Sequence, residues 1–333
     1  MTSIDTAEAI TLRDVRSARR RVEGNALITP ILENPFLNEI AGRRVLIKAE
    51  CLQRTGSFKF RGAWSAISAL PEPQRAQGVI AYSSGNHAQG IALAAKLHEV
   101  PAVIVMPNDA PALKVANTRA YGAEVVLYDR PGGESREETG TRLAEERGLT
   151  LIRPFDEPQV MAGQGTCGLE IAGQARAMGV SKADVLVCCG GGGLAAGMAM
   201  ALSGEAPGMR VRPVEPDGFD DVTRSLAAGE RLGVEAPPAD AVWDAILTPA
   251  PGELTFPILQ RLAGPGIVVS EDETFRAMAQ AFLRLKLVAE PGGAVALAAA
   301  LFHPDSVEGQ AVIAVITGGN VDPLVFRRAL DTL

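Results

Sequence analysis

From residue 44 onward the chain repeats one pattern: a short apolar run rich in β-branched residues, a turn, then a longer stretch with apolar residues at helical spacing. The runs are RVLIKAE, GVIAYSS, PAVIVMP, AEVVLYD, LTLIRPF, ADVLVCC, MRVRPVE, GIVVSED and QAVIAVIT. Between them lie helical patterns such as HAQGIALAAKLHE, SREETGTRLAEERG and DETFRAMAQAFLRLKL. Strands separated by helices predict parallel sheets covered on both faces, the α/β class. Ligands in such sheets bind beyond the carboxyl ends of the strands, so the strand-to-helix turns carry the functional signal. No low-complexity linker and no internal repeat divides the chain. The units from about Tyr82 to Phe155 form a compact insertion, which predicts a small domain over 81–155 and a large domain from 1–80 plus 156–333.

Composition narrows the class. A chain of 333 residues has room for about two domains. Lys+Arg 32 against Asp+Glu 39 gives a net charge of -7. The positive charges are scattered apart from Arg19, Arg20 and Arg21, so nucleic acid is not expected as a partner. The opening stretch MTSIDTAEAITLRDVRSARRRVEG has early acids and no apolar segment, unlike a secretory signal. The most apolar window, LVAEPGGAVALAAALF, is broken by Glu290 and Pro291 and is too short to span a bilayer, so no membrane association is expected and the expected compartment is the cytoplasm. Cys51, Cys167, Cys188 and Cys189 lack zinc-ligand spacing and read as reduced core residues. With only His87, His98 and His303, and with neither a GxSxG elbow nor a Walker loop, little material exists for a histidine triad or a His-rich metal site.

Five stretches carry candidate chemistry. In TGSFKFRGA, Lys59 sits between Phe58 and Phe60; burial there lowers an amine's pKa and makes it a nucleophile able to form a Schiff base. The bland alternative is a snorkelling lysine at a helix start. SSGNHAQG gathers Ser83, Ser84, Asn86 and His87 at a helix N-terminus, which suits an anion such as a carboxylate, or else is a simple cap. Gly190 to Gly193 join a strand to an apolar helix, where successive N–H groups make a phosphate cradle. The same turn fits a loose G-x-G-x-x-A pattern with Glu215 about twenty residues on, which keeps a nicotinamide-dependent oxidoreductase as a rival. VEPDGFDDV offers Glu215, Asp220 and Asp221 as hard oxygen donors for Mg²⁺ or Ca²⁺, or is a solvated acidic loop. In AVIAVITGGNVD, the Thr317 hydroxyl at a strand end can meet a ring nitrogen.

An aldehyde for Lys59, a phosphate for the glycines, a ring hydroxyl for Asn86 and a ring nitrogen for Thr317 describe one ligand, pyridoxal 5′-phosphate. The motifs SFKFRGA, SSGNHAQG, APALK, AGQGT, GGGGL, VEP, EPGGA and TGGN, in that order, resemble the serine/threonine dehydratase and serine racemase family of fold-type II pyridoxal-phosphate enzymes, with a tryptophan synthase β-like architecture. The resemblance implies that Lys59 holds the cofactor beside Phe58 and acts as general base. It implies that Asn86 contacts the ring oxygen, that Gly190, Gly191, Gly192, Gly193 and Leu194 bind the phosphate, and that Thr317, usually serine in the family, meets the pyridine nitrogen. Ser83, Ser84, Asn86 and His87 match the loop that grips the substrate carboxylate. Glu215, the Phe219 carbonyl and Asp221 match a divalent-cation site for Mg²⁺, or Ca²⁺ or Mn²⁺.

The implied reaction is elimination of water from L-serine, L-threonine or 3-hydroxyaspartate to a 2-oxo acid and ammonia. The alternative is a serine or aspartate racemase in which Ser84 reprotonates Cα. Arg136 matches a family arginine that can bind a second substrate carboxylate; its bland reading is a helix arginine paired with Glu138 or Glu134. The segment WDAILT departs from the family pattern and puts the substrate in doubt. A homodimer is expected from the resemblance. Feedback control by an amino acid is not expected, since the chain ends soon after TGGN.

Overall fold

A computed structural model describes residues 9–110, 112–234 and 241–333. Residues 1–8 of the opening stretch and Pro111 of APALK lie outside the described residues. Each of the nine apolar runs contains a strand, and a tenth precedes them: β1 (Ile31–Glu33), β2 (Arg44–Ala49), β3 (Val79–Tyr82), β4 (Ala102–Pro107), β5 (Glu124–Tyr128), β6 (Thr150–Leu151), β7 (Ala183–Cys188), β8 (Met209–Pro216), β9 (Ile267–Val269) and β10 (Ala311–Ile316). They form a six-stranded sheet in the order β1-β2-β10-β7-β8-β9 and a four-stranded sheet in the order β5-β4-β3-β6. Every pair is parallel except β1 with β2. The fold is α/β, as the alternation predicts.

Every residue of β4, β7 and β10 is buried, the mark of a parallel strand with helices on both faces. On one side of the large sheet an apolar core joins Val185, Val187, Ile313 and Val315 to Met161, Cys167, Ala195 and Met198. Those four belong to the helices Pro158–Ala177 and Gly193–Glu205. On the other side Leu186, Val312, Ala314 and Ile316 meet the helix Pro291–Phe302.

Strand order places the site. In the large sheet the connections diverge where β10 lies against β7, and in the small sheet where β3 lies against β6. A crevice opens beyond the carboxyl ends of strands at such switch points. The turns there are CGGGG, TGGN, SSGNH and Arg153 to Phe155, so four chain segments far apart in sequence converge.

A buried ionic network anchors the helix Lys59–Ala69 to the large sheet. Arg61 donates from Nε to Glu50 (2.7 Å) and from Nη1 to Glu170 (2.7 Å), and Lys48 Nζ donates to Glu170 (2.6 Å). Thr29 hydrogen-bonds Glu50 as well. Buried charges are tolerated only when paired and hydrogen-bonded in this way.

Candidate active site

Lys59 opens its helix directly after an irregular stretch in which Thr55 takes the left-handed backbone region at φ 60. That stretch is laced to the TGGN turn: Phe58 N–H donates to the Thr317 carbonyl (3.0 Å), Gly319 N–H to the Gly56 carbonyl (2.9 Å), and Ser57 bridges Gly318. The Lys59 ammonium donates to the Pro154 carbonyl at 2.9 Å and lies 5.2 Å from the centre of the Phe58 ring. Burial lowers its pKa to about 8, against a smaller opposing pull from Cys188 and Glu290. A lowered pKa is what burial between two phenylalanines implies for this amine.

The SSGNH turn does not form a simple cap. The helix Asn86–Leu97 starts without a side-chain cap, and Asn86 turns toward the large sheet instead. Its Nδ2 donates to Glu290 (2.6 Å) and its Oδ1 accepts from Asn320 Nδ2 (2.7 Å). Ser83 Oγ accepts the Gly85 N–H (3.2 Å), which shapes the turn on which Ser84 stands. His87 Nε2 donates to the Ile152 carbonyl (3.0 Å), and its Nδ1 is buried without a partner among the described residues. Burial, then the Lys59 charge, lowers His87 to about 3, so it is neutral at physiological pH.

Gly190 to Gly193 lead into the helix Gly193–Glu205, with Leu194 buried in its first turn. A Cβ on Gly191 would lie 2.3 Å from the Phe155 ring, and one on Gly190 would lie 2.9 Å from the Ile246 carbonyl. Gly192 has φ +89, a region that side-chain-bearing residues avoid. The turn therefore brings bare backbone to a helix N-terminus, a geometry that fits a phosphate. Beside it, Thr317 Oγ1 lies 3.0 Å from Cys188 Sγ.

Two site residues have no counterpart in the sequence-derived set. Glu290 is buried, is pushed by burial up to about 7, and touches the same Asn86 that was expected to face a ring. Asn320, in TGGN, completes that chain by donating to the Thr55 carbonyl as well (2.7 Å). A signal for Glu290 was present: it is the lone acid interrupting the most apolar window of the chain.

WDAILT packs against the glycine turn, where the Ile246 backbone faces Gly190. Asp244 pairs with Lys114 of the helix Ala112–Ala120 at 2.6 Å, and Thr248 Oγ1 is buried without a hydrogen-bond partner among the described residues. Arg136 begins the helix Arg136–Arg147, half-exposed, with its guanidinium 5.8 Å from the Tyr82 ring centre. Its ion pair is with Glu137 (2.7 Å) rather than with Glu138 or Glu134; Glu134 accepts the Asp129 N–H instead.

Glu215 and Asp221 of the acidic loop are buried, whereas Asp217 and Gly218 at its tip are exposed and Asp220, partly exposed, pairs with Arg224 at 3.3 Å. Glu215 accepts from the Val222 and Thr223 N–H groups (2.9 and 2.7 Å) and from the Thr223 hydroxyl (2.6 Å), so both oxygens are used at the start of the helix Asp221–Ala228. This is not how a ribose-binding acid is held. Phe219 is buried beside it, and both oxygens of Asp221 are buried without hydrogen-bond partners among the described residues. Burial raises Glu215 to about 8 and Asp221 to about 7. Among the described residues no group of three or more His, Cys, Asp or Glu side chains is arranged for a metal. The available donors are two carboxylates and backbone carbonyls, hard oxygens that suit Mg²⁺ or Ca²⁺.

Lys59 with its lowered pKa, a glycine turn at a helix N-terminus and the Thr317 hydroxyl stand on converging turns, a set of groups that suits a phosphorylated aldehyde. The chain belongs to the pyridoxal-phosphate-dependent enzyme family, whose model matches residues 22–318. It is 46% identical over 312 residues to an L-threo-3-hydroxyaspartate ammonia-lyase of Pseudomonas sp, covering 93% of this chain and 95% of that one. It is 40% identical over 313 residues to a serine racemase of Schizosaccharomyces pombe, with 94% of each covered. Among solved structures it is similar to a threonine deaminase from T.th., at 47% identity and TM-score 0.87, covering 94% of this chain and 99% of that one.

Proposed function

We propose that this protein is a pyridoxal-phosphate-dependent ammonia-lyase that removes water from a β-hydroxy amino acid, 3-hydroxyaspartate foremost, to give a 2-oxo acid and ammonia. The observation that carries the reading is the Lys59 amine, lowered to about 8, held on the Pro154 carbonyl next to the Phe155 that Gly191 faces and feeling the charge of Glu290. The likeness at 46% identity to an L-threo-3-hydroxyaspartate ammonia-lyase supports the substrate. The cofactor, when bound through Lys59, supplies the electron sink that lets the substrate lose its Cα proton.

The protein's own contribution follows from the geometry. Backbone N–H groups of Gly190 to Gly193 and Leu194 hold the phosphate at the start of their helix. Asn86, fixed between Glu290 and Asn320, is presented to the ring oxygen, and Thr317 to the ring nitrogen. The backbone and hydroxyls of Ser83 and Ser84, with Asn86 and neutral His87, orient the substrate carboxylate. Once freed by substrate, the Lys59 amine takes the Cα proton, because at about 8 it is unprotonated in a useful fraction near neutral pH. Residues 81–155 act as the small domain that carries the carboxylate loop, with Arg136 at its rim available for a second carboxylate.

A second reading, racemisation, is favoured by the likeness to serine racemase and by the position of Ser84 on the turn, from which it can return a proton to Cα. Glu215, the Phe219 carbonyl and Asp221 are proposed to hold Mg²⁺, or Ca²⁺ or Mn²⁺, because two buried Asp221 oxygens have no hydrogen-bond donor. A homodimer is proposed through the surface that carries the exposed rings of Phe36 and Phe282. Arg284 lies over the Phe36 ring there, and Phe282 packs edge-on against Phe326. The four buried free cysteines suit the reducing cytoplasm; among the described residues no helix is long and apolar enough to cross a membrane.

The deciding experiment compares 2-oxo acid release from L-serine, L-threonine and the 3-hydroxyaspartate stereoisomers, with chiral analysis of the remaining substrate, for wild type and Arg136→Ala. Selective loss of the dicarboxylate in the variant is the expected result. Equal rates on all substrates leave Arg136 as a surface residue paired with Glu137. Inversion without 2-oxo acid release favours the racemase.

A further inference from the structure

Cys188 ends β7, Thr317 follows β10, and these strands are neighbours in the large sheet. Their side chains meet at the carboxyl edge, Sγ to Oγ1 3.0 Å, both buried. The Thr317 backbone is held on both sides, its N–H donating to the Gly293 carbonyl (3.3 Å) and its carbonyl accepting from Phe58 (3.0 Å). What decides how Thr317 serves the crevice is the direction of its hydroxyl hydrogen.

A hydroxyl has one hydrogen to donate and two lone pairs, whereas a thiol is both a weak donor and a weak acceptor. If the hydroxyl hydrogen points at sulfur, only lone pairs face the crevice, and they suit a protonated ring nitrogen. If the thiol hydrogen points at Oγ1, the hydroxyl hydrogen is free to face the crevice and suits an unprotonated nitrogen. Burial pushes the Cys188 thiol up to about 11, with the Thr317 contact and Lys59 pulling the other way and Glu290 pushing it further up. The sulfur therefore keeps its hydrogen near neutral pH and has it to give.

We propose that Cys188 is a positioning residue: its S–H donates into Thr317 Oγ1 and turns the threonine hydroxyl hydrogen toward the cofactor's ring nitrogen, which is thereby held unprotonated. The proposal deepens the reading above and rests on Thr317 meeting that nitrogen. In this role Cys188 acts through Thr317, its hydrogen-bond partner.

The test uses holoenzyme reconstituted with pyridoxal phosphate labelled with ¹⁵N in the ring. The ¹⁵N shift, which reports protonation and hydrogen bonding of that nitrogen, is measured with the dissociation constant of the cofactor for wild type, Cys188→Ala, Cys188→Ser and Thr317→Val. Expected are an unprotonated, hydrogen-bonded nitrogen in wild type, a displaced shift in Cys188→Ala, and a loss of cofactor affinity of about two- to tenfold, the range of one neutral hydrogen bond. Cys188→Ser, which restores a donor, should return both readouts toward wild type. The proposal is overturned if Cys188→Ala leaves the shift where it was, or if serine behaves like alanine. If Thr317→Val moves the shift while Cys188→Ala does not, only the role of Cys188 fails. If Thr317→Val also leaves it unmoved, the placement of Thr317 at the ring fails, and this inference with it.

Discussion

Replacing Gly191 with alanine adds one methyl group to the turn between β7 and the helix Gly193–Glu205, at a point where the space is already taken. The new Cβ would sit 2.3 Å from Phe155 Cδ2 and Cε2 and 2.5 Å from Cγ. Carbon atoms rest about 3.5–4.0 Å apart, so the ring or the turn must shift by about 1 Å or more. Phe155 is poorly placed to yield: its backbone packs against Gly193, and the preceding Pro154 carbonyl holds the Lys59 ammonium. The turn gives way instead, and with it the N–H groups proposed to face the phosphate. Overpacking of this kind costs about 1–3 kcal/mol, which corresponds to a cofactor dissociation constant raised about 5- to 150-fold. Apoenzyme titrated with pyridoxal phosphate and followed by visible absorbance measures it. The double variant Gly191→Ala/Phe155→Ala removes the atoms that the methyl meets and should recover most of the loss, a coupling that independent sites do not show. Unchanged affinity in Gly191→Ala would refute the assignment of the turn to the phosphate. A double variant no better than the single one would refute Phe155 as the obstacle.

Capture of pyridoxal phosphate by the apoenzyme should speed up as pH rises through about 8, not through the ordinary lysine value of 10.5, and should vanish in Lys59→Ala; stopped-flow absorbance reads both. Mg²⁺ or Ca²⁺ should raise the unfolding temperature of wild type and EDTA should lower it, a stabilisation of about 2.7 kcal/mol at a hundred times the dissociation constant. Asp221→Ala should remove that response; if the cations change neither wild type nor variant, the carboxylates hold no metal. Arg61→Met leaves Glu50 and Glu170 buried with less positive charge and should destabilise the holoenzyme by about 3–5 kcal/mol in denaturant unfolding. Burial raises Glu50, but the Arg61 charge and hydrogen bonds outweigh it and hold the carboxyl below its usual 4.5. That contribution to stability is present above 4.5 and is lost as pH falls through the lower folded value. Without Arg61 it is absent, so the variant should unfold at a higher pH than wild type in an acid titration.

What the sequence discloses and what it hides follow from the range of the forces involved. The nine apolar runs are legible because a parallel strand covered on both faces must be apolar along its length, whatever its neighbours. β1 is not: three residues, partly exposed, take their strand conformation only from antiparallel pairing with β2. LTLIRPF yields just two strand residues because its second half turns into the crevice, where Ile152 and Pro154 give their carbonyls to His87 and Lys59. The candidate site shows the same division. Lys59, the glycines and Asn86 are legible because each sits in a local pattern that ordinary packing does not explain. Glu290 is marked by its apolar surroundings, yet its partner Asn86 is 204 residues away. Cys188 reads as a small core residue, and 129 residues separate it from Thr317. The Cys188–Thr317 partnership exists because β10, last in the chain, inserts between β2 and β7 in the sheet, and the Asn86–Glu290 partnership because the turn after β3 of the small sheet meets the large-sheet part of the chain. Hydrophobic periodicity is blind to strand order, since a strand in either position buries the same faces. The residues most easily missed are therefore those that gain a role only when strand order brings two ends together.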